Sequence, residues 1–76
     1  MKVWAYVFIT TSQPRNVVQA IRTIRGVAQA DALFGTPDAI AIVEGADIAE
    51  MDAVIDHIVE VPDVLATDTK VARWIE

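Results

Sequence analysis

The chain has 76 residues, 54% of them hydrophobic, and a formal net charge of −5. This length fits one small domain over residues 1–76, and the negative charge disfavours direct binding to nucleic acid because phosphate backbones repel it. The chain has no Cys, no apolar run near the ~20 residues that span a bilayer and no signal-peptide pattern, so we predict a cytoplasmic protein without disulfides or membrane contact.

The first predicted strand, Val3–Thr10, is apolar on both of its faces. Side chains alternate along a strand, so one face carries the aromatic residues Trp4, Tyr6 and Phe8. The other face carries smaller or branched apolar residues: Val3, Ala5, Val7 and Ile9. A strand with two apolar faces is expected to be buried on both.

A helical pattern follows, from Pro14 to Arg25. Ser12 is the predicted N-cap, and Pro14 suits the first turn because an N–H there would have no partner. Four apolar residues at helical spacing form a stripe: Val17, Val18, Ile21 and Ile24. Gly26 is predicted to end the helix as its C′ residue.

Two further strands are predicted, Val27–Phe34 and Ala39–Val43, with a tight turn at Gly35–Asp38 between them. Gly, Pro and Asp are typical turn residues. Polar residues interrupt Val27–Phe34, as is common in edge strands, whereas Ala39–Val43 is apolar throughout.

The second helix is predicted over Asp47–Val61. Asp47, followed three residues later by Glu50, is an acidic variant of the capping box. The apolar stripe of this helix consists of Ile48, Met51, Val54, Ile55 and Ile58. Pro62 prevents the helix from continuing, and a more polar fourth strand is predicted over Val64–Ile75.

The order strand–helix–strand occurs twice, which predicts an α+β ferredoxin-like βαββαβ sandwich. Its four-stranded antiparallel sheet should have strands one and three in the centre and two helices on one face. The high apolar content predicts self-association through the uncovered face. We therefore expect Trp4, Tyr6 and Phe8 to form a dimer interface, giving a dimeric α/β barrel.

Catalytic or metal chemistry has little support in the sequence. His57 is the only His and falls opposite the apolar stripe of the second helix, so it should be exposed. A lone exposed His without Cys makes neither a catalytic triad nor a typical zinc site. The three glycines are isolated, so no phosphate-binding loop is present. We predict no enzyme activity, no metal and no cofactor.

One group of polar residues has the chemistry of a small binding site. Gly35 and Asp38 lie in the predicted turn, and Thr67 and Thr69 lie on one face of strand four. Backbone N–H groups and hydroxyls suit a carboxylate, and the Asp38 carboxylate suits an ammonium group, so a zwitterion fits. The same residues are also common in turns and edge strands for structural reasons alone.

Several short segments occur in a fairly specific order. They are Ala5-Tyr6-Val7, Ile24-Arg25-Gly26-Val27, Phe34-Gly35-Thr36-Pro37-Asp38-Ala39-Ile40, Asp47, Val61-Pro62-Asp63-Val64, and Thr67 with Thr69. In this order they resemble the ligand-binding (RAM) domain of the Lrp/AsnC transcriptional regulators over essentially the whole chain. Two positions depart from the family pattern, since Pro37 stands where an aromatic residue is frequent and Asp63 where Gly is usual.

This resemblance implies sheet-to-sheet dimers that assemble into octamers or similar rings, with a free amino acid bound in clefts between dimers. Carried over by position, Gly35, Thr36 and Asp38 line the cleft, and Thr67 and Thr69 are further candidates. Family regulators carry an N-terminal helix-turn-helix, whereas the first strand predicted here begins almost at Met1, so we expect no DNA-binding domain in this sequence. The resemblance thus implies a stand-alone domain that assembles with itself or with a full-length regulator.

Other kinds of protein share this topology and stay open as alternatives. A small dimeric α/β-barrel enzyme, of the monooxygenase or isomerase type, needs polar or haem-ligating groups in a cavity. An RNA-recognition module stacks bases on aromatic residues of both central strands, and Ala39–Val43 has none. An ACT-type amino-acid sensor usually binds its ligand in a loop after strand one that holds Asp and Gly, and Thr10–Gln13 offers neither.

Overall fold

The computed structural model describes residues 2–75, which form four strands and two helices. In chain order these are β1 Val3–Thr10, α1 Pro14–Ile21, β2 Val27–Ala32, β3 Ala39–Gly45, α2 Ile48–Val59 and β4 Ala66–Val71. All neighbouring strands are antiparallel, and their order across the sheet is β2-β3-β1-β4. The predicted ferredoxin-like βαββαβ fold is confirmed, as is the central position of the first and third strands.

The pairing of β1 with β3 separates small side chains from large ones. Val7 lies opposite Ala41 on the face that the helices cover, and the next pair along points to the other face. On the helix side these strands bury Ala5, Val7, Ile9, Ala39, Ala41 and Val43, all at 0% exposure. Short side chains let the helices approach closely, and Ile21 and Ile58 from the helices are fully buried in the same core.

Each helix buries one apolar stripe against this side of the sheet. The helix α1 contacts β2 and β3, and α2 contacts β3 and β1. The buried residues are Val17, Val18 and Ile21 in α1, and Met51, Val54 and Ile58 in α2. Of the predicted stripe of α2, Ile48 is 57% exposed and outside the core, whereas Ile55 is half-buried and packs against it.

The first helix ends four residues earlier than predicted, at Ile21. Ile24 N donates to Ile21 O at 3.0 Å, so the chain tightens from i−4 to i−3 hydrogen bonds. Gly26 follows this turn with φ +98° and is therefore not the C′ residue of α1. A Cβ at Gly26 would lie 2.5 Å from Val54 Cγ2, so Gly26 permits close contact with α2.

The caps of the two helices differ from each other. The N-cap of α1 is Gln13, which makes no side-chain capping bond, so the prediction of Ser12 was wrong. Thr11 is buried and its Oγ1 accepts from Gln13 N at 2.9 Å, which fixes the entry to α1. In α2 the predicted cap is confirmed, because Asp47 Oδ1 accepts from Glu50 N at 2.8 Å.

The two edge strands are shorter than predicted. The strand β2 ends at Ala32 instead of Phe34, and the loop to β3 begins at Leu33. The strand β4 covers Ala66–Val71 instead of Val64–Ile75. Its start is delayed by a turn that includes Asp63 at φ +73°, and beyond Ala72 its neighbour β1 offers almost no further partner.

Among residues 2–75, neither helix combines the length and apolar content needed to cross a membrane.

Candidate functional site

The loop between β2 and β3 is held at both of its ends. Leu33 N donates to Asp38 O at 2.8 Å, which closes the loop, and Asp38 N donates to Ile9 O at 3.0 Å. Gly35 has φ +113°, a conformation that favours glycine, and the Thr36–Pro37 peptide bond is cis. The two hydrogen bonds place Thr36 and Pro37 at the end of β1.

The Asp38 side chain is part of this fastening. Its Oδ2 accepts from Thr11 N at 3.0 Å in a partly buried position. This bond joins the loop to the segment that leads from β1 into α1. At least one carboxylate oxygen of Asp38 thus has a role within the fold, and Asp38 positions the loop.

A hollow of about 360 Å³ lies beside the loop, on the sheet face opposite the helices. Its lining residues come from β1, the loop and β4: Phe8, Thr10, Thr36, Pro37, Ala66, Thr67, Asp68 and Lys70. We call it the loop hollow. Of the predicted site residues, Thr36 and Thr67 line it, whereas Gly35, Asp38 and Thr69 do not.

The register of β4 decides which of its side chains face the loop hollow. Thr67 pairs with Ile9 and Thr69 with Val7, so both threonine side chains lie on the helix side of the sheet. They share one face, as predicted, and both are half-buried. Asp68 pairs with Phe8 and therefore faces the loop hollow.

Asp68 and Lys70 are the charged residues that sequence reasoning missed. Lys70 Nζ lies 3.3 Å from Asp68 Oδ2, and both side chains are 65% exposed. Such an exposed ion pair contributes little to stability, so a ligand can replace it at low cost. Alternation along β4 puts both residues on one face, which is the signal that could have found them.

The sheet face opposite the helices, which we call the open face, has an apolar centre. Trp4 is 38% and Tyr6 37% exposed, and Phe8 is half-buried. Ile40 and Ile42 of β3 lie beside them, opposite Phe8 and Tyr6. No helix or strand of residues 2–75 covers this face, and its role as a dimer interface stays a prediction.

Metal binding has no supporting cluster of side chains in the part of the chain that the structure describes. His57 is exposed on α2, as predicted. Within residues 2–75 no group of three His, Cys, Asp or Glu side chains is placed to hold a metal ion.

Comparison with known proteins gives one matching family. The family model described as the Lrp/AsnC ligand binding domain matches residues 4–73. No curated protein matches the sequence significantly.

Three solved structures of similar length have the same fold. Hypothetical protein PHS023 from Pyrococcus horikoshii is 25% identical, with a TM-score of 0.85 over 96% of this chain and 92% of its own. FFRP-DM1 is 26% identical, with a TM-score of 0.84 over 93% of this chain and 99% of its own. TTHA0845 from Thermus thermophilus is 26% identical, with a TM-score of 0.87 over 97% of this chain and 96% of its own.

Longer proteins contain the same fold as about half of their length. The feast or famine regulatory protein Rv3291c from M. tuberculosis, solved in complex with L-methionine, is 20% identical. Its TM-score is 0.75, over 92% of this chain and 49% of that protein. At this identity the likeness shows the fold alone.

Proposed function

Because the chain belongs to the Lrp/AsnC ligand-binding domain family, we propose that this regulatory module binds a free amino acid and assembles through its open face. The observation that carries the proposal is the loop hollow at the rim of that face. It places hydroxyls next to one ammonium and one carboxylate group, which together complement a zwitterion.

The ligand contacts follow from the charges around the loop hollow. Lys70 Nζ suits the carboxylate of an amino acid, and Asp68 suits its ammonium group. The hydroxyls of Thr10 and Thr36 are further partners for the carboxylate. In this arrangement Asp38 holds the loop in position, and Gly35 supplies the backbone conformation that brings Thr36 to the hollow.

Thr67 and Thr69 have a secondary place in this proposal. Their side chains lie on the helix side of β4, so they border the site from behind the edge strand. Thr67 is the nearer of the two, because it lines the loop hollow and Thr69 does not. A ligand that binds between assembled dimers could reach this side of β4 from a neighbouring subunit.

The proposed assembly begins with a homodimer in which two open faces pack together. The apolar centre of the face and its polar edges are typical of an interface. Dimers then assemble into an octamer or similar ring, and a full-length Lrp/AsnC regulator is a second possible partner. The methionine complex of Rv3291c supports the amino-acid part of the proposal by its fold.

A thermal-shift screen against the twenty common amino acids tests the ligand. A ligand that binds only the folded state raises the free energy of unfolding by about 2.7 kcal/mol at about a hundred times its Kd. We expect a selective shift for one or a few amino acids. No shift at millimolar concentrations would contradict amino-acid binding.

One charge variant at the loop hollow and one away from it place the ligand in the molecule. We expect Lys70→Gln to weaken the binding of the amino acid found in the screen by at least about tenfold, since a charge-assisted bond to its carboxylate is lost. Arg25→Gln is the control, because Arg25 is an exposed cation between α1 and β2 that does not line the loop hollow. Titration calorimetry on both variants measures the change, and equal losses would argue against this site.

A further inference from the structure

The chain continues past the sheet as an exposed apolar segment. Ala72 N donates to Trp4 O at 2.9 Å, which continues the pairing of β4 with β1. Beyond Ala72 the segment Arg73–Ile75 leaves the sheet, with Trp74 75% and Ile75 72% exposed. Trp74 lines a hollow together with Trp4, so its exposed side chain is part of a contiguous apolar patch, which is typical of an interaction surface.

This segment forms one wall of a second hollow, of about 450 Å³. Its lining residues are Lys2, Val3, Trp4, Ala72, Arg73 and Trp74. We call it the tryptophan hollow. Because Ala72 continues the register opposite Trp4, the hollow adjoins the open face at the end remote from the loop hollow.

We infer that a second copy of this chain covers the tryptophan hollow, and that Trp74 of each subunit becomes buried against the other subunit. The inference rests on the proposed assembly through the open face and extends it to a segment outside the sheet. It assigns Trp74 as an anchor of the dimer.

The area of the open face favours this extension. Four strands about 4.8 Å apart, each about six residues long at about 3.3 Å per residue, give a footprint of about 400 Å². A stable interface commonly buries about 800 Å² on each partner. Side chains raise the accessible area of the face above this flat footprint, and Trp74 and Ile75 add further apolar area beside it, since a Trp side chain buries about 150–250 Å².

Continuity and symmetry favour a second copy over another partner. The hollow shares Trp4 with the open face, so two packed open faces bring a second copy next to it. In a twofold dimer the same patch serves both subunits, and the contact of Trp74 therefore forms twice in each dimer.

Tryptophan fluorescence tests the inference directly, because the chain has two Trp residues. Trp4→Phe keeps an aromatic ring on the open face and leaves Trp74 as the sole Trp. We expect its emission maximum to move to shorter wavelength as protein concentration rises, in step with dimer formation measured by sedimentation. The variant Trp4→Phe/Tyr6→Glu, which should stay monomeric, is expected to keep the long-wavelength emission.

A second variant measures the contribution of Trp74 to affinity. We expect Trp74→Ser to raise the dimer dissociation constant by at least about tenfold, as is typical of an aromatic anchor. Val59→Ser is the matched control, since Val59 is a 51% exposed apolar residue on α2, on the other side of the sheet. It should leave the dissociation constant unchanged.

The possible outcomes separate the two levels of the proposal. A dimer in which Trp74 keeps its long-wavelength emission overturns the inference and leaves assembly through the open face standing. Short-wavelength emission already in the monomer also overturns it, because the segment then folds against its own subunit. A protein that stays monomeric at all concentrations overturns the inference together with the proposed assembly.

Discussion

The two faces of the same sheet are built from side chains of different size. On the helix side β1 presents Ala5 and Val7, which are fully buried by α1, α2 and the rest of the core. On the open face the intervening residues Trp4 and Tyr6 remain more than a third exposed. Within the described part of the chain, one face of β1 is thus covered by the helices and the other face is uncovered.

Apolar alternation along a strand does not by itself indicate what covers each face. Apolar residues on both faces of a central strand predict burial on both, and residues 2–75 supply a cover for only one. The size of the side chains distinguishes the two cases, because helices pack closely over Ala and Val, whereas large aromatic side chains are typical of interfaces between proteins. Substitutions on either face test this contrast.

Tyr6→Glu should have the largest effect of these substitutions. It should prevent association of subunits without unfolding them. A dimer that packed the open faces would bury an added carboxylate whose cross-strand neighbour Lys70 is already paired with Asp68, at a cost of several kcal/mol. We expect a folded monomer in sedimentation and a circular dichroism spectrum like that of the original protein. Tyr6→Phe is the control and should still dimerise. A stable dimer of Tyr6→Glu would remove this face from the interface.

Ile58→Ala should have the largest effect on the helix side. Ile58 is fully buried, and deleting a core side chain of this size costs about 2–5 kcal/mol of unfolding free energy. Ile48→Ala in the same helix is the control, because Ile48 is 57% exposed, and it should change stability by no more than about 0.5 kcal/mol. Urea denaturation measures both, and equal losses would contradict the assignment of the core.

Gly26→Ala and Gly35→Ala form a pair with smaller expected effects. Both glycines have positive φ, but a Cβ at Gly26 meets Val54 and one at Gly35 meets nothing within 4 Å. We expect Gly35→Ala to cost about 1 kcal/mol, near the low end for a residue in a rare conformation, and Gly26→Ala to cost more because it adds a clash. Thermal unfolding compares the two, and the reverse order would show that α2 moves away easily.

Much of the fold could be predicted from the sequence, because periodicity and strand polarity are local signals. The apolar runs predicted the strand order, and Asp47 with Glu50 predicted the start of α2. The ends of elements depend on their neighbours instead. The strand β4 stops where β1 begins, and α1 ends where the chain tightens before Gly26, and neither event is visible in the segment itself.

The candidate site was less predictable for the same reason. Alternation placed Thr67 and Thr69 on one face of β4, and only the pairing with Ile9 and Val7 shows that it is the helix side. A shift of one residue would have exchanged them with Asp68 and its neighbours. Likewise the hydrogen bond from Thr11 N to Asp38 joins residues that are 27 positions apart, and no local pattern predicts it.

The position of β1 between β3 and β4 also bears on how the chain reaches its native state. Phe8 has Ile40 on one side and Asp68 on the other, so the central strand has no partner close to it in sequence. Contacts between residues so far apart must close long loops before they contribute stability, which slows folding. The β2–β3 hairpin is local and is therefore expected to form early. The strand β1 can then pair with β3 while its other edge still lacks β4. Until that last pairing, the edge of β1 presents unpaired backbone N–H and C=O groups that can pair with a strand of another chain, and rapid synthesis at high concentration is expected to favour aggregation.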